Sequence, residues 1–113
     1  MIDHTSLNVS DYAKSKAFYM LALAPIGYEI VKEPTLEQTH GVASCGMGEN
    51  NKPDFWLTQG KAGSPVHLAF GVKSCALVDA FYKAAIAAGG TDNGAPGVRD
   101  PDGHNIEVVC HRE

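Results

Sequence analysis

Two histidines and one glutamate are the side chains that could do chemistry in this chain: His4, His67 and Glu107. Imidazole nitrogens and a carboxylate oxygen are the donors of the two-histidine, one-carboxylate site that binds Fe(II), and this donor set also suits Mn, Ni or Zn. Such a site leaves positions open at the ion, where two substrate oxygens can chelate it. The alternative is that both histidines are half-exposed strand residues and that the glutamate is solvated.

The two histidines open two copies of one sequence pattern. A shift of 63 positions places His4–Gly27 on His67–Gly90 without a gap, and nine of the 24 aligned pairs are identical. Internal similarity of this kind indicates repeated supersecondary units. Two copies are too few for a solenoid, so we expect two similar units packed side by side, each beginning with a histidine.

Each copy has the pattern of a strand followed by a helix and further strands. The first copy is predicted to contain one helix among four strands, at 2–9, 12–24 (the helix), 28–32, 39–46 and 55–58. The second copy is predicted to contain a strand at 66–72, a helix that Gly89-Gly90 ends, and a last strand at 105–111, with a loop at 91–97 and a tight turn at 100–103 before the last strand. The predicted N-caps of the two helices are Ser10-Asp11 and Ser74, and His104 is expected to be exposed because it lies in a turn. The buried face of the first helix is expected to carry Ala13, Ala17, Phe18 and Leu21.

Strand alternation predicts that the three candidate ligands share one face. In the first strand of each copy the apolar residues occupy alternate positions, so His4 and His67 lie opposite the helix. In the last strand Ile106 and Val108 flank Glu107, which places the glutamate on the helix-free side. The pattern therefore predicts two histidines and one carboxylate on the helix-free face of one sheet.

Composition excludes several classes of function. The 113 residues indicate one domain, with a first module over 1–60 and a second over 65–113. The net charge of −4 gives no general attraction for nucleic acid or anionic lipid. No apolar run approaches the roughly 20 residues of a membrane span, and we expect no signal peptide. Three widely spaced cysteines favour reduced thiols and a cytoplasmic location: Cys45, Cys75 and Cys110.

Several segments carry a family resemblance: the opening strand 2–9, the stretch 67–70, and above all Asp100-Pro101-Asp102-Gly103-His104-Asn105-Ile106-Glu107. They resemble the vicinal oxygen chelate superfamily, which includes glyoxalase I, bleomycin-resistance proteins and extradiol dioxygenases. The resemblance implies an α+β fold of two βαβββ modules, whose strands form a curled mixed sheet around a cup with the helices outside. It implies a divalent metal on His4, His67 and Glu107. The fourth ligand position, a glutamate in glyoxalase I, falls on Trp56, which leaves a three-ligand set as in the extradiol dioxygenases.

The second copy departs from this family pattern by being short. The first copy has 33 residues from Gly27 to Gly60, whereas the second has 23 from Gly90 to Glu113. We therefore expect the second module to lack about one strand and the last strand to lack its neighbour. An unpaired sheet edge is a site for pairing with another chain. A homodimer is expected to supply the missing pairing, with domain swapping as one route.

Three functions follow from the resemblance. The first is a divalent-metal-dependent enzyme that acts on a small oxygen-rich substrate, with the reaction open between ring-cleaving dioxygenase, isomerase and lyase. In this enzyme Trp56 would form a stacking wall and Arg99 would meet an anionic group; simple packing and a solvated arginine are the alternatives. The second is a metal-free drug-binding protein of the bleomycin-resistance type. The third is an inactive relative whose role is assembly.

Overall fold

The chain folds into two βαβββ modules. The computed structural model describes residues 1–111, so the last two residues of the predicted second module lie outside it. The first module contains β1 (Thr5–Val9), α1 (Tyr12–Ala22), β2 (Glu29–Lys32), β3 (Ser44–Glu49) and β4 (Lys52–Gln59). The second contains β5 (His67–Gly71), α2 (Cys75–Ala87), β6 (Thr91–Asp92), β7 (Val98–Arg99) and β8 (Asn105–Val109).

The two sheets have the same topology. Their strand orders are β1-β4-β3-β2 and β5-β8-β7-β6. The first and last strands of each module pair in parallel, and the other pairs are antiparallel. The sequence repeat is therefore a repeat of structure, and the predicted α+β class with two βαβββ modules is confirmed.

Two details of the predicted fold differ from the structure. The strands form two separate four-stranded sheets within the chain and not one curled sheet. The second module also keeps its fourth strand, so the expected loss of a strand is wrong. The shortening is spread over β6 and β7, which have two residues each and are joined by a tight loop in which Asn93 N donates to Gly97 O at 3.0 Å. Only Ile106 and Asn105 of β8 pair with β7, so from Glu107 onward β8 pairs with β5 alone.

Both helices begin after the predicted N-cap residues, although Ser74 makes no side-chain cap hydrogen bond, and α1 is rotated from its expected orientation. The side chain of Asp11 accepts a hydrogen bond from Lys14 N at 3.1 Å, which caps the start of α1. Its buried residues are Ser15, Phe18, Tyr19 and Ala22, while the expected Ala13, Ala17 and Leu21 are exposed. The helix packs against α2 as well as against its own sheet, so its buried side is set by both neighbours.

Aromatic rings and a buried carboxylate join the two modules. Phe55 and Phe70 meet edge to face with ring centroids 5.3 Å apart. The carboxylate of Asp100, in the turn before β8, accepts a hydrogen bond from Tyr19 Oη at 2.5 Å and from His104 N at 2.8 Å. His104, expected to be exposed from its place in a turn, is 2% exposed, and its Nδ1 accepts from Val66 N. The turn is therefore part of the contact between the modules.

Each sheet has two edge strands, and in each sheet one of them lies beside a candidate histidine. β1 is an edge strand of the first sheet and β5 is an edge strand of the second, and each pairs with one neighbour, β4 and β8 respectively. β1 directly follows His4, and β5 begins with His67. Over residues 1–111, neither helix has the length and apolarity needed to cross a membrane.

Candidate functional site

The structure brings His67 and Glu107 together. His67 pairs with Asn105 across β5 and β8, and Ala69 pairs with Glu107, so the two side chains are diagonal neighbours on the same face. His67 Nε2 lies 3.1 Å from Glu107 Oε2. The histidine side chain is 61% exposed and that of the glutamate 23% exposed. The second module alone thus presents one imidazole nitrogen and one carboxylate oxygen on an accessible, helix-free surface.

His4 does not join this pair within the chain. It directly precedes β1 on the other sheet, and its Nδ1 lies 2.9 Å from Asp3 Oδ1. Within residues 1–111, no three His, Cys, Asp or Glu side chains gather closely enough to hold a metal ion. The predicted grouping on one sheet fails because alternation fixes which face a residue occupies, whereas the joining of the two sheets depends on tertiary packing.

The His67–Glu107 pair and the separate His4 each have a geometry that suits a metal ligand. Two ligands about 2.1 Å from one ion, at a right angle to each other, lie about 3.0 Å apart, close to the observed separation of His67 Nε2 and Glu107 Oε2. The carboxylate of Asp3 contacts Nδ1 of His4. In metal sites a carboxylate commonly orients a ligating histidine in this way, through the ring nitrogen that does not bind the metal. The hydrogen bonds from His4 and Lys52 hold the pKa of Asp3 below its usual value. One chain therefore offers a two-donor part and a separate one-donor part.

Trp56 occupies the helix-free face of the first module. It pairs with Ser6, which the repeat aligns with Ala69, the partner of Glu107. The strand registers therefore place Trp56 and Glu107 at equivalent positions in the two modules. The indole ring lies over Gly46, where an added Cβ would come within 2.7 Å of two ring atoms. Together with His4, Ser6 and Lys52, the ring lines a shallow cavity on this face.

Gly46→Ala is expected to displace the indole ring of Trp56. The added methyl group would also come 2.9 Å from Pro53 Cβ, so the ring must move away from the sheet. We expect increased acrylamide quenching of the fluorescence of this chain's only tryptophan and a destabilisation of about 1–3 kcal/mol. Gly63→Ala, at a position with open space around it, is the control. Unchanged quenching in Gly46→Ala would contradict the placement of the ring.

Arg99 lies in the same row of the second sheet as His67. Both pair with Asn105, one from β7 and the other from β5, so the three side chains point to the same face. Arg99 is exposed, and its Nη1 donates to Gly103 O at 3.0 Å. The guanidinium group supplies positive charge on the surface that carries the His67–Glu107 pair.

Two asparagines of this surface were not among the predicted site residues. Asn105 Nδ2 donates to Glu107 Oε2 at 3.1 Å, and Asn93 Nδ2 donates to Asn105 Oδ1 at 3.0 Å. The sequence held a signal for Asn105, since it lies two residues before Glu107 and therefore on the same face of β8. It held none for Asn93, which reaches the strand from the loop after β6.

A second cavity, larger than the one beside Trp56, lies between the modules on the helix side of the sheets. Its walls include Phe55, Leu68 and Phe70, with Tyr28 and Asp54 at one end. Tyr28 Oη donates to Asp54 Oδ2 at 3.0 Å, and burial together with this contact raises the pKa of Tyr28. None of His4, His67 and Glu107 lines this cavity, although Asp3, the hydrogen-bond partner of His4, does.

Solved structures with this fold are similar over nearly the whole chain. A glyoxalase/bleomycin resistance protein from Albidiferax ferrireducens T118 is 25% identical, with a TM-score of 0.77 and 96% of each chain covered. The fosfomycin resistance protein FosX from Listeria monocytogenes is 17% identical, with a TM-score of 0.74 and coverage of 97% of this chain and 90% of that one. Glyoxalase I from Leishmania major is 18% identical, with a TM-score of 0.66 and coverage of 97% and 86%. The last two comparisons show the fold alone.

A family model matches nearly the whole chain. No curated protein matches the sequence significantly. The model of the Glyoxalase/Bleomycin resistance protein/Dioxygenase superfamily matches residues 1–108, which include the first module, all but the last five residues of the second and all the predicted site residues. The chain therefore belongs to the glyoxalase/bleomycin resistance protein/dioxygenase superfamily.

Proposed function

We propose that the protein is a divalent-metal-dependent enzyme of the glyoxalase/dioxygenase type, with each site completed by a second copy of the chain. One protomer supplies His67 and Glu107, and the other supplies His4. The observation that carries the proposal is the division of the three ligands between β5–β8 and the start of β1, which lie on different sheets of one chain. The metal class is Fe, Mn, Ni or Zn, which suits nitrogen and carboxylate donors.

The open sheet edges support a dimer of this kind. β1 and β5 each have an unpaired side in the described chain, and an exposed edge is a template for pairing with another chain. In a two-fold dimer, β1 of each protomer would lie beside β5 of the other, and two equivalent sites would result. That arrangement brings His4 of one copy toward the His67–Glu107 pair of the other. The proposed location is the cytoplasm, which the odd number and wide spacing of the three cysteines in the sequence favour.

The substrate proposed for this site is small, rich in oxygen and anionic. Arg99 would bind the anionic group and Trp56 would form the opposite wall, against which a flat part of the substrate stacks. A bound divalent ion would polarise a substrate oxygen or lower the pKa of a bound water. A FosX variant of the same fold, 19% identical, is known in complex with Mn(II) and 1S,2S-dihydroxypropylphosphonic acid. That pairing of a divalent metal with an oxygen-rich anion supports the substrate class.

Metal content of the untagged protein tests the proposal. After anaerobic loading with Fe, Mn, Ni, Zn and Co in turn, we expect about one ion per chain for at least one metal, and a molar mass in solution of twice the 12.0 kDa of the chain. Glu107→Ala and His67→Ala should each lower metal affinity at least about tenfold without unfolding the protein. His111→Ala, which removes another exposed histidine, is the control. Full metal affinity in Glu107→Ala would exclude this carboxylate as a ligand.

A metal-free binding protein is the second candidate. Trp56 favours it, because an aromatic ring lies on the open face at the position equivalent to Glu107. In that case no metal would be retained, and flat aromatic ligands would quench the fluorescence of Trp56 at micromolar concentration. Metal that the wild-type protein retains and His67→Ala loses would favour the metal-dependent enzyme over the metal-free binding protein.

A further inference from the structure

One oxygen of Glu107 has two neighbours. His67 Nε2 and Asn105 Nδ2 both lie 3.1 Å from Glu107 Oε2. A carboxylate on an extended side chain has several rotamers, and a donor on the same strand face restricts which of them is populated. Asn105 is half-buried, so its amide is a more firmly placed donor than the exposed His67 ring.

The orientation of the Asn105 amide is itself determined by Asn93. An asparagine side chain can present either its oxygen or its NH₂ group to a neighbour. Because Asn93 Nδ2 donates to Asn105 Oδ1 at 3.0 Å, the NH₂ group of Asn105 faces Glu107. A rotated Asn105 amide would place two donors together at Asn93 and two acceptors together at Glu107.

The short loop between β6 and β7 is built around this contact. Asn93 N donates to Gly97 O at 3.0 Å, and this hydrogen bond closes the five-residue loop 93–97. A Cβ on Gly97 would lie 2.9 Å from Asn105 Oδ1 and 3.3 Å from Asn93 O, so a side chain there would push on the Asn93–Asn105 contact. The shortening of the second module therefore brings the loop residue Asn93 onto β8, beside the candidate site.

We infer that Asn105 and Asn93 are positioning residues that act in series to hold the Glu107 carboxylate in the orientation in which it binds metal. This inference rests on the proposed metal site. Hydrogen-bond partners of ligating carboxylates stabilise one orientation of the ligand, and their removal lowers metal affinity about 10–100-fold. Asn93 makes its hydrogen bond to Asn105 and none to Glu107 or His67, so its influence on the carboxylate passes through Asn105.

Metal affinity of a variant series tests the inference. Asn105→Ala and Asn105→Leu should both lower affinity about 10–100-fold, since both remove the donor to Glu107, whereas only the first removes volume. Asn93→Ala should lower it less, about three- to tenfold, because the Asn105 amide is then free to rotate. The double variant Asn93→Ala/Asn105→Ala should lose no more affinity than Asn105→Ala alone, as expected for residues in series.

Two controls separate positioning from general destabilisation. Tyr82→Phe removes the nearby hydrogen bond from Tyr82 Oη to Asp92 Oδ1 and should change metal affinity less than twofold. In the Glu107→Ala background, Asn105→Ala should cause no further loss, since the carboxylate it positions is gone. Unchanged affinity in both Asn105 variants, with affinity lost in Glu107→Ala, would overturn the inference and leave the proposed function standing.

The metal-free protein provides a second measurement. In ¹⁵N-correlated NMR spectra the side-chain NH₂ group of Asn105 should exchange slowly with water, and Asn93→Ala should abolish that protection. If the wild-type protein bound no metal at all, the proposed function would fail and the role of Asn105 in metal binding with it. Rapid exchange of the Asn105 NH₂ group in the wild-type protein would overturn the series arrangement on its own.

Discussion

Mixing two variants that cannot bind metal is expected to restore metal binding. His4→Ala and Glu107→Ala homodimers would each carry two damaged sites. In a mixed dimer, His4 from the Glu107→Ala chain meets His67 and Glu107 from the His4→Ala chain, which gives one intact site. Random reassortment makes half of the dimers mixed, so co-refolded samples should retain about one ion per four chains.

The combination of variants identifies which residues share a chain. His4→Ala mixed with His67→Ala should also restore binding, for the same reason. His67→Ala mixed with Glu107→Ala should not, because these two ligands come from one protomer and every mixed site then lacks one of them. Metal measured by mass spectrometry of the reisolated dimers decides the result. No recovery in either of the first two mixtures would contradict a site shared between chains.

Removal of the Tyr19 hydroxyl group should destabilise the fold far more than removal of its counterpart in the second module. Tyr19 is fully buried and donates at 2.5 Å to Asp100, which is 5% exposed. Tyr19→Phe leaves a buried carboxylate without this donor, at a cost of about 2 kcal/mol in free energy of unfolding. Tyr82, the repeat equivalent of Tyr19, makes its hydrogen bond to Asp92 at the surface. Tyr82→Phe should therefore cost less than about 0.5 kcal/mol.

Chemical denaturation as a function of pH would check the same contact. Burial, followed by the negative charge of Asp100, raises the pKa of Tyr19 well above its usual value of 10. A group whose pKa is higher in the folded state stabilises it fully below the unfolded-state pKa, so this contribution declines as the pH rises above about 10. The Tyr19→Phe variant should lose the part of the alkaline decline that Tyr19 causes. Equal free energies of unfolding for Tyr19→Phe and Tyr82→Phe at pH 7 would contradict this prediction, because the buried hydrogen bond would then contribute no more than the one at the surface.

The local part of the fold could be predicted because its signals are local. Alternation in β5 and β8 placed His67 and Glu107 on one face, and the helix starts at Asp11 and Ser74 followed from capping residues. In each of these cases the deciding interaction lies within one strand, one helix or one strand pair.

Most of the features that were predicted wrongly depend on contacts between the modules. The buried side of α1 is shifted because the helix packs against α2, and His104 is buried because its ring receives the N–H group of Val66. The separation of His4 from the other two ligands arises from the same level of structure. Residue counting suggested a missing strand, whereas a tight loop and two short strands fit the same number of residues.

The equivalence of Trp56 and Glu107 has a consequence for substrate selection. Two copies of one module create an approximate internal symmetry, and a symmetric cup would accept a substrate in either of two opposite poses. In this chain one half presents a carboxylate and a guanidinium group, and the other half presents an indole ring at the matching point. At the proposed site, a ligand with an anionic end and a flat end would then be expected to bind in one of the two opposite poses, and the divergence of two duplicated positions would select between those poses.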